Sequence, residues 1–238
     1  MTAPVLEVGS VARAFDGVRA VDGVTFDVGP GEMVALIGPN GAGKTTCFNL
    51  INGQLAADSG SVRIIGRDVR GLSAASIARL GVGRTFQVAA TFASMSVREN
   101  IDVALRALGS RRHQRDAIAL LAQVGAAELV DRHAATLAYA DAKRVELAMA
   151  LAGAPRLLLL DEPTAGLGAA DSTLMMQSVR ASVTADALAV LFTEHDMDIV
   201  FGFADRVIVL DRGHVIASGT PAAVRADADV QRAYLGGA

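Results

Sequence analysis

A glycine-rich segment near position 40 has the residue types and the spacing of a loop that binds phosphate groups. It follows the pattern G-x-x-x-x-G-K-[ST] and consists of Gly38, Pro39, Asn40, Gly41, Ala42, Gly43, Lys44, Thr45 and Thr46. Glycines let consecutive backbone N–H groups turn toward phosphate oxygens, and a helix beginning near Lys44 would add the positive end of its dipole. The Lys44 ammonium can reach the β- and γ-phosphates of a nucleotide, and the Thr45 hydroxyl can bind Mg²⁺. This segment, here called the phosphate loop, predicts a site for a nucleoside triphosphate and Mg²⁺.

Two carboxylates follow a strongly apolar segment in the second half of the chain. Asp161 and Glu162 come directly after four consecutive leucines at 157–160. In open parallel sheets, ligands bind at the carboxyl ends of the strands. Asp161 suits a Mg²⁺ ligand, and Glu162 suits a general base that polarises an attacking water. Taken alone, the pair is more typical of two solvated acids at a strand end, but beside a phosphate loop it predicts nucleotide hydrolysis.

The elements that must position these residues alternate between strand and helix patterns, which is typical of an α/β fold. Short apolar or β-branched runs predict strands at residues 5–8, 24–28, 33–37, 62–65, 156–160, 187–192, 207–210 and 214–218. The last two are expected to pair across Asp211, Arg212 and Gly213. Thr220 followed by Pro221 predicts the start of a helix near the end of the chain.

Residues 87–153 have almost no strand signal and are rich in alanine, leucine and arginine. Ser96 and Glu99 have the spacing of a capping box that opens a helix. Further helices are predicted over residues 116–124 and 141–151. We therefore expect a helical lobe at 87–153, inserted into an α/β core formed by residues 1–86 and 154–238.

Composition limits the class of protein. Of the 238 residues, 52% are hydrophobic and 20% are charged, which suits a packed core and excludes a disordered chain. The net charge of −3 argues against a protein that binds nucleic acid through its phosphates. The single cysteine, Cys47, permits neither an internal disulfide nor a cysteine-based metal site. No apolar run has the length of a membrane span, and the first residues lack a signal-peptide pattern, so a cytoplasmic protein is expected.

Three further segments carry motifs that, together with the two described above, are spread over most of the chain. They are Gly83-Arg84-Thr85-Phe86-Gln87, the string from Thr193 to Asp198 and the terminal Ala233-Tyr234-Leu235-Gly236. With the phosphate loop and the carboxylate pair, the chain resembles the nucleotide-binding subunits of ATP-binding cassette (ABC) transporters over essentially its full length. Within that family it is most similar to the ATPase subunits of branched-chain amino-acid importers. The resemblance implies a P-loop NTPase core of the RecA-like type, with an antiparallel β subdomain and an inserted α-helical lobe.

The resemblance also implies roles for residues that carry no clear signal by themselves. Phe15 matches the aromatic residue that stacks on adenine, although a core phenylalanine is the alternative. Gln87 matches the glutamine that contacts Mg²⁺ or its water, and His195 matches the histidine that contacts the γ-phosphate. The family's signature segment, which binds the nucleotide of a partner subunit, corresponds to Leu137, Ala138, Tyr139, Ala140 and Asp141.

This signature segment departs from the family pattern. Ala140 replaces a glycine, Ala142 a glutamine and Lys143 an arginine, and Gly168 stands where Asp or Asn is usual. If position 140 needs a positive φ, alanine there would be strained by about 1–2 kcal/mol. On that hypothesis the homodimer is a slow ATPase.

The implied activity is ATP hydrolysis coupled to transport at the inner face of the cell membrane. Two subunits, identical or different, would sandwich two ATP molecules, and the helical lobe would receive helices of transmembrane permease subunits. A periplasmic substrate-binding protein would belong to the same system, and no nucleic acid is involved. The alternative is a regulatory cassette that binds ATP with little turnover. A GTPase is disfavoured because neither Lys44 nor Lys143 follows an asparagine, as the guanine-reading N-K-x-D motif requires.

Overall fold

The fold was analysed in a computed structural model that describes residues 3–86, 90–107 and 116–235. A six-stranded sheet forms its centre, in the order β10-β9-β3-β8-β7-β6. These strands are β3 Met33–Ile37, β6 Val82–Arg84, β7 Leu157–Asp161, β8 Ala189–Thr193, β9 Arg206–Asp211 and β10 His214–Gly219. All neighbouring strands are parallel except β9 and β10, which form the hairpin that the sequence predicts.

A second sheet of four antiparallel strands has the order β2-β1-β4-β5. Its strands are β1 Leu6–Phe15, β2 Val18–Val28, β4 Ser59–Ile64 and β5 Arg67–Asp68. The strands predicted at 5–8 and 24–28 were too short, because β1 and β2 continue through polar residues toward Phe15 and Val18. One face of this hairpin stays in contact with solvent, so its outer positions carry charged and polar residues that hide the strand pattern.

Nine helices accompany the sheets in the described part of the chain. They are α1 Lys44–Ile51, α2 Ala74–Arg79, α3 Val97–Ala107, α4 Ala117–Gln123, α5 Tyr139–Leu151, α6 Ala169–Asp186, α7 Met197–Phe203, α8 Pro221–Ala226 and α9 Ala228–Leu235. Between β6 and β7, the helices α3, α4 and α5 pack on one another. None of the helices in the described ranges is long and apolar enough to cross a membrane.

The parallel strands are buried on both faces, and their alternate residues enter two different cores. From β3, Met33, Ala35 and Ile37 join the core formed with α3 to α7. Val34 and Leu36 join the core shared with α1 and the antiparallel sheet. The central sheet therefore has one packed core on each face, and the phosphate loop extends from its buried strand β3.

The capping residues predicted at Ser96, Glu99 and Thr220 act as expected, and Asp116, predicted as the first residue of a helix, is a cap as well. The backbone N–H of Ser96 donates to Glu99, and the backbone N–H of Glu99 donates back to the Ser96 hydroxyl. Asp116 caps α4 and Thr220 caps α8 through their side-chain oxygens. These short-range contacts fix where the helices start.

Other predicted boundaries were also wrong. Ile65 and Ala187, both predicted as strand residues, have left-handed φ values of 53° and 51°; Ile65 lies in the turn after β4, and Ala187 is the C-cap of α6. The helix expected from Asp141 begins two residues earlier, at Tyr139. For Ile65 and Ala187 the apolar pattern extends beyond the strand, to a residue where the backbone changes direction.

Candidate functional site

The phosphate loop joins the buried strand β3 to α1, as the sequence predicts. Gly43 is the N-cap of α1 with φ 104°, and a Cβ atom there would collide with the carbonyl oxygen of Ala20 in β2. Glycine is therefore required both for the backbone angle and for the close approach of the antiparallel sheet. The N-terminal end of α1 lies in this loop, and a helix N-terminus favours a bound anion.

Lys44 is 8% exposed and lies over this loop. Its Nζ donates to the carbonyl oxygens of Gly38 at 2.6 Å and Pro39 at 3.2 Å. Burial lowers the pKa of Lys44, and the charges of Glu162 and Asp161 oppose that shift. The predicted lysine and the two predicted carboxylates therefore lie close enough to interact electrostatically.

The carboxylates lie at the carboxyl end of β7, next to the end of β8. The Thr193 hydroxyl donates to Oδ1 of Asp161 at 2.9 Å, and the backbone N–H of Glu162 donates to the Thr193 hydroxyl at 3.1 Å. Glu162 has φ 48°, an uncommon left-handed conformation for a residue with a side chain. Sequence analysis missed the role of Thr193, although its position directly before Glu194 and His195 was a usable signal.

His195 follows β8 and meets the carboxylate pair. Its Nε2 lies 2.9 Å from Oε1 of Glu162, and its side chain is 52% exposed. The preceding Glu194 is buried and accepts hydrogen bonds from the N–H and hydroxyl of Thr164 and from the N–H of His195. Burial raises the pKa of Glu194 despite these bonds. Glu194 therefore ties the loop after β7 to the histidine.

Phe15 ends β1 and is 39% exposed, so it is not a core phenylalanine. The guanidinium of Arg13 lies over its ring, 5.0 Å from the centroid. Asp58 in turn pairs with Arg13 at 2.7 Å. One face of the ring is thus supported by a fixed cation, an arrangement that suits stacking of a planar ligand on the other face.

Gln87 lies outside the described residues, but the chain on both sides of it is held by α5. Oε1 of Glu146 accepts from the backbone N–H of Phe86 at 2.9 Å and of Ala90 at 3.2 Å. Lys143 donates to the carbonyl oxygen of Phe86 at 2.7 Å and lies 3.5 Å from Glu146. Lys143 and Glu146 are both buried, so the lysine that departs from the family pattern is a structural cation of this joint.

The signature segment forms the start of α5. Ala138 is the N-cap, and the residues from Tyr139 onward are helical. Ala140 therefore has an ordinary helical backbone, and the strain that we hypothesised for it is absent. The ring of Tyr139 instead contacts the loop after the carboxylates, where a Cβ atom on Gly166 would come within 3.1 Å of it. Asp141 pairs with Arg144 at 2.6 Å.

Oxygen donors at this site fit a magnesium ion that arrives with a nucleotide. Within the described ranges, no group of three or more His, Cys, Asp or Glu residues is placed to hold a metal by itself. Mg²⁺ commonly uses one or two protein oxygens together with phosphate oxygens and water. The Thr45 hydroxyl at the start of α1 and the Asp161 carboxylate supply that number of donors.

A predominantly apolar groove of about 390 Å³ lies on the side of the molecule where α2 faces the helices α3 and α5. Its walls are mostly small and apolar side chains, with Asn52, Gln54, Arg84 and Glu146 as its polar members. The apolar part includes Ala74, Ala75, Ala78, Phe86, Ala104, Ala107 and Met149.

Comparison with known proteins gives consistent matches over the chain. A family model described as ABC transporter matches residues 21–165, and one described as branched-chain amino acid ATP-binding cassette transporter matches residues 214–238. The chain is 37% identical to the high-affinity branched-chain amino acid transport ATP-binding proteins BraF of Pseudomonas aeruginosa and LivG of Escherichia coli. Each match covers 99% of both proteins.

Among solved structures, the ADP conformation of an ATP-binding cassette of an ABC transporter superposes with a TM-score of 0.88. That chain is 29% identical to this one, and the alignment covers 99% of this chain and 100% of the other. The arrangement of sheets and helices is thus that of a nucleotide-binding cassette.

Proposed function

This chain belongs to the ABC transporter family and is an ATPase subunit, and we propose that it powers the import of branched-chain amino acids or a related small polar solute. One observation carries the catalytic part of the proposal. The Glu162 carboxylate lies at the end of β7 beside Asp161, with His195 at 2.9 Å, in the electrostatic field of Lys44. The import of amino acids is supported by similarity to BraF and LivG over the full chain.

The residues divide the chemistry of ATP hydrolysis among them. Glu162 accepts the proton of the attacking water, because its carboxylate is held at the strand end by a constrained backbone. Lys44, His195 and the phosphate-loop N–H groups stabilise the charge that develops on the γ-phosphoryl oxygens. Thr45 and Asp161 would hold Mg²⁺, which when bound neutralises phosphate charge. The family resemblance assigns Gln87, which lies outside the described residues, to the same metal or its water.

The proposal also covers how adenine is recognised and how a partner subunit contributes to each ATP site. Phe15 stacks on adenine with Arg13 behind it. The signature segment binds the γ-phosphate held by a partner subunit, because its backbone N–H groups lie at the start of α5. The proposed division into a core and a helical lobe at residues 87–153 would place the signature segment, at the start of α5, in the lobe.

Transmembrane permease subunits are the proposed partners at the groove between α2, α3 and α5. Its small apolar residues leave room for a short helix that inserts bulkier side chains. The chain would then lie on the inner face of the membrane, and a periplasmic substrate-binding protein would deliver the solute. Uptake of labelled leucine, isoleucine and valine by the native host, with and without this gene, tests the solute. Unchanged uptake of all three would exclude them.

Nucleotide binding is tested with Lys44→Ala, using Lys44→Arg as the control that keeps the charge. We expect the alanine variant to bind MgATP far more weakly in calorimetry, since it lacks the cation that contacts the bound phosphates. The arginine variant should retain part of the affinity. Equal affinity of Lys44→Ala and the unmodified chain would overturn the assignment of the phosphate loop.

The proposed dimer is tested by light scattering. The chain should be monomeric without nucleotide, and Glu162→Gln with MgATP should dimerise because hydrolysis no longer reopens the sandwich. A dimer that is equally stable without nucleotide would show that a different interface joins the subunits.

A further inference from the structure

Arg84 connects the proposed metal ligand Asp161 with the groove. It is the last residue of β6, and its Nη2 lies 3.7 Å from Oδ2 of Asp161. Both side chains are only 13% exposed, so solvent screens this pair of charges weakly. The separation lies within ion-pair range but is longer than a hydrogen bond.

Two neutral side chains hold the guanidinium at this distance. Nη1 donates to Oε1 of Gln54 at 2.8 Å, and Nη2 donates to Oδ1 of Asn49 at 3.2 Å. The guanidinium also stacks over the ring of Phe86, 4.9 Å from its centroid. Because the fork is directed to these partners, its nearest nitrogen stays 3.7 Å from Oδ2 of Asp161 and does not form a hydrogen bond with it.

The residues that hold Arg84 belong either to the groove or to α1, the helix that follows the phosphate loop. Gln54 and Phe86 line the groove together with Arg84 itself. Asn49 lies four residues after Thr45 on α1, and residues at this spacing share a helix face. A segment that enters the groove therefore meets the residues that hold Arg84, and Arg84 stands between them and the magnesium ligands.

We propose that Arg84 is a positioning residue whose restraint by Gln54 sets the preference of the site for metal-bound over metal-free ATP. The proposal rests on the function proposed above. While Gln54 holds the guanidinium, the Asp161 carboxylate is available to Mg²⁺. When that bond is lost, the guanidinium closes on Asp161 and competes with Mg²⁺ for the same oxygen. A permease segment that bonds to Gln54 would thus weaken metal binding from the groove.

The test measures the dissociation constant of a fluorescent, non-hydrolysable ATP analogue in EDTA and divides it by the constant measured in excess Mg²⁺. A higher ratio means a stronger preference for the metal-bound nucleotide. This ratio isolates the contribution of the metal, because effects on nucleotide binding alone cancel. Arg84→Gln removes a cation beside the metal site and should raise the ratio about tenfold. Gln54→Ala removes one of the two hydrogen-bond restraints on the cation and should lower the ratio. Gln54→Ala added to Arg84→Gln should have no further effect.

Two controls separate this role from a structural one. Arg79→Gln, at the exposed end of α2, makes the same change in net charge and should leave the ratio unchanged. Arg84→Lys keeps a cation near Asp161 and should not raise the ratio as Arg84→Gln does. Gln54 is exposed, so its variant is expected to fold even if substitution of Arg84 disturbs the sheet.

The results that would contradict the proposed function differ from those that would contradict the role of Arg84. If the unmodified chain does not bind the analogue, the proposed function is wrong. If the chain binds it, an unchanged or lowered ratio in Arg84→Gln overturns the role of Arg84. The same holds if Gln54→Ala shifts the ratio equally with and without Arg84.

Discussion

Nε2 of His195 lies 2.9 Å from Oε1 of Glu162, although the two residues come from the ends of different parallel strands. The contact places the histidine at the edge where the γ-phosphate of ATP is expected. His195→Ala should lower turnover by about 10²–10³-fold, the usual effect of losing one positioned donor to developing charge. ATP affinity should change little. Steady-state phosphate release at saturating MgATP measures this, and wild-type turnover in the variant would remove His195 from the mechanism.

Gly166 is expected to be intolerant of a side chain. Its φ of 78° is left-handed, and a Cβ atom would lie 3.1 Å from the Tyr139 ring. Gly166→Ala should lower the free energy of unfolding by about 1–2 kcal/mol. Part of this loss should be recovered when Tyr139→Ala is added. Urea denaturation provides the measurement.

The control for that substitution is Gly202→Ala. Gly202 lies in α7 with open space around it, so alanine should stabilise the chain by up to about 1 kcal/mol. Equal stability changes in Gly166→Ala and Gly202→Ala would contradict the contact between the signature segment and the loop after β7.

Ala140→Gly should destabilise the start of α5, because the position is helical and unstrained. The expected loss is up to about 1 kcal/mol, and Ala142→Gly on the same helix should lose a similar amount. A gain in stability would instead indicate strain at Ala140. The ATPase rate of the same variants tests a different effect of this position. Faster hydrolysis by Ala140→Gly would show that the methyl group of Ala140 crowds the nucleotide bound by the partner subunit.

Glu194 is expected to make stability depend on pH. Its pKa in the folded chain is raised above the ordinary value of 4.5, chiefly by burial. It therefore stabilises the fold below pH 4.5, and this contribution is lost as pH rises through the folded pKa.

Glu194→Gln lacks this titration but keeps an oxygen for Thr164. Relative to the unmodified chain, the variant should gain stability with rising pH by at most about 1.4 kcal/mol per pH unit within that window. Urea denaturation at a series of pH values above 4.5 measures the trend. A difference that is constant, or that falls with pH, would contradict it.

Sequence alone predicted the parts of the site that are continuous along the chain. The phosphate loop and the Asp161–Glu162 pair each combine a buried strand with the chemistry that follows it, so their placement follows from the edge of a parallel sheet. The hairpin of β9 and β10 and the capping residues of α3 and α8 depend on similarly local signals.

The contacts between distant segments were not predictable in this way. Arg84 and Asp161 are neighbours only because β6 pairs with β7, and the buried role of Lys143 depends on where Phe86 meets α5. The helix α6 was missed, although its buried Met175, Met176, Val179 and Val183 have helical spacing. The exposed Leu174 and several Ser and Thr residues obscure that pattern.

Glu162→Gln gives the most direct test of the central claim, that this chain hydrolyses ATP with Glu162 as the base. Binding and turnover of MgATP are measured on the same preparations of the variant and the unmodified chain. We expect affinity to stay similar and turnover to fall by about 10²–10⁴-fold, the contribution of a positioned general base. If the variant releases phosphate at the unmodified rate, Glu162 is not the base and the mechanism proposed for this site is wrong.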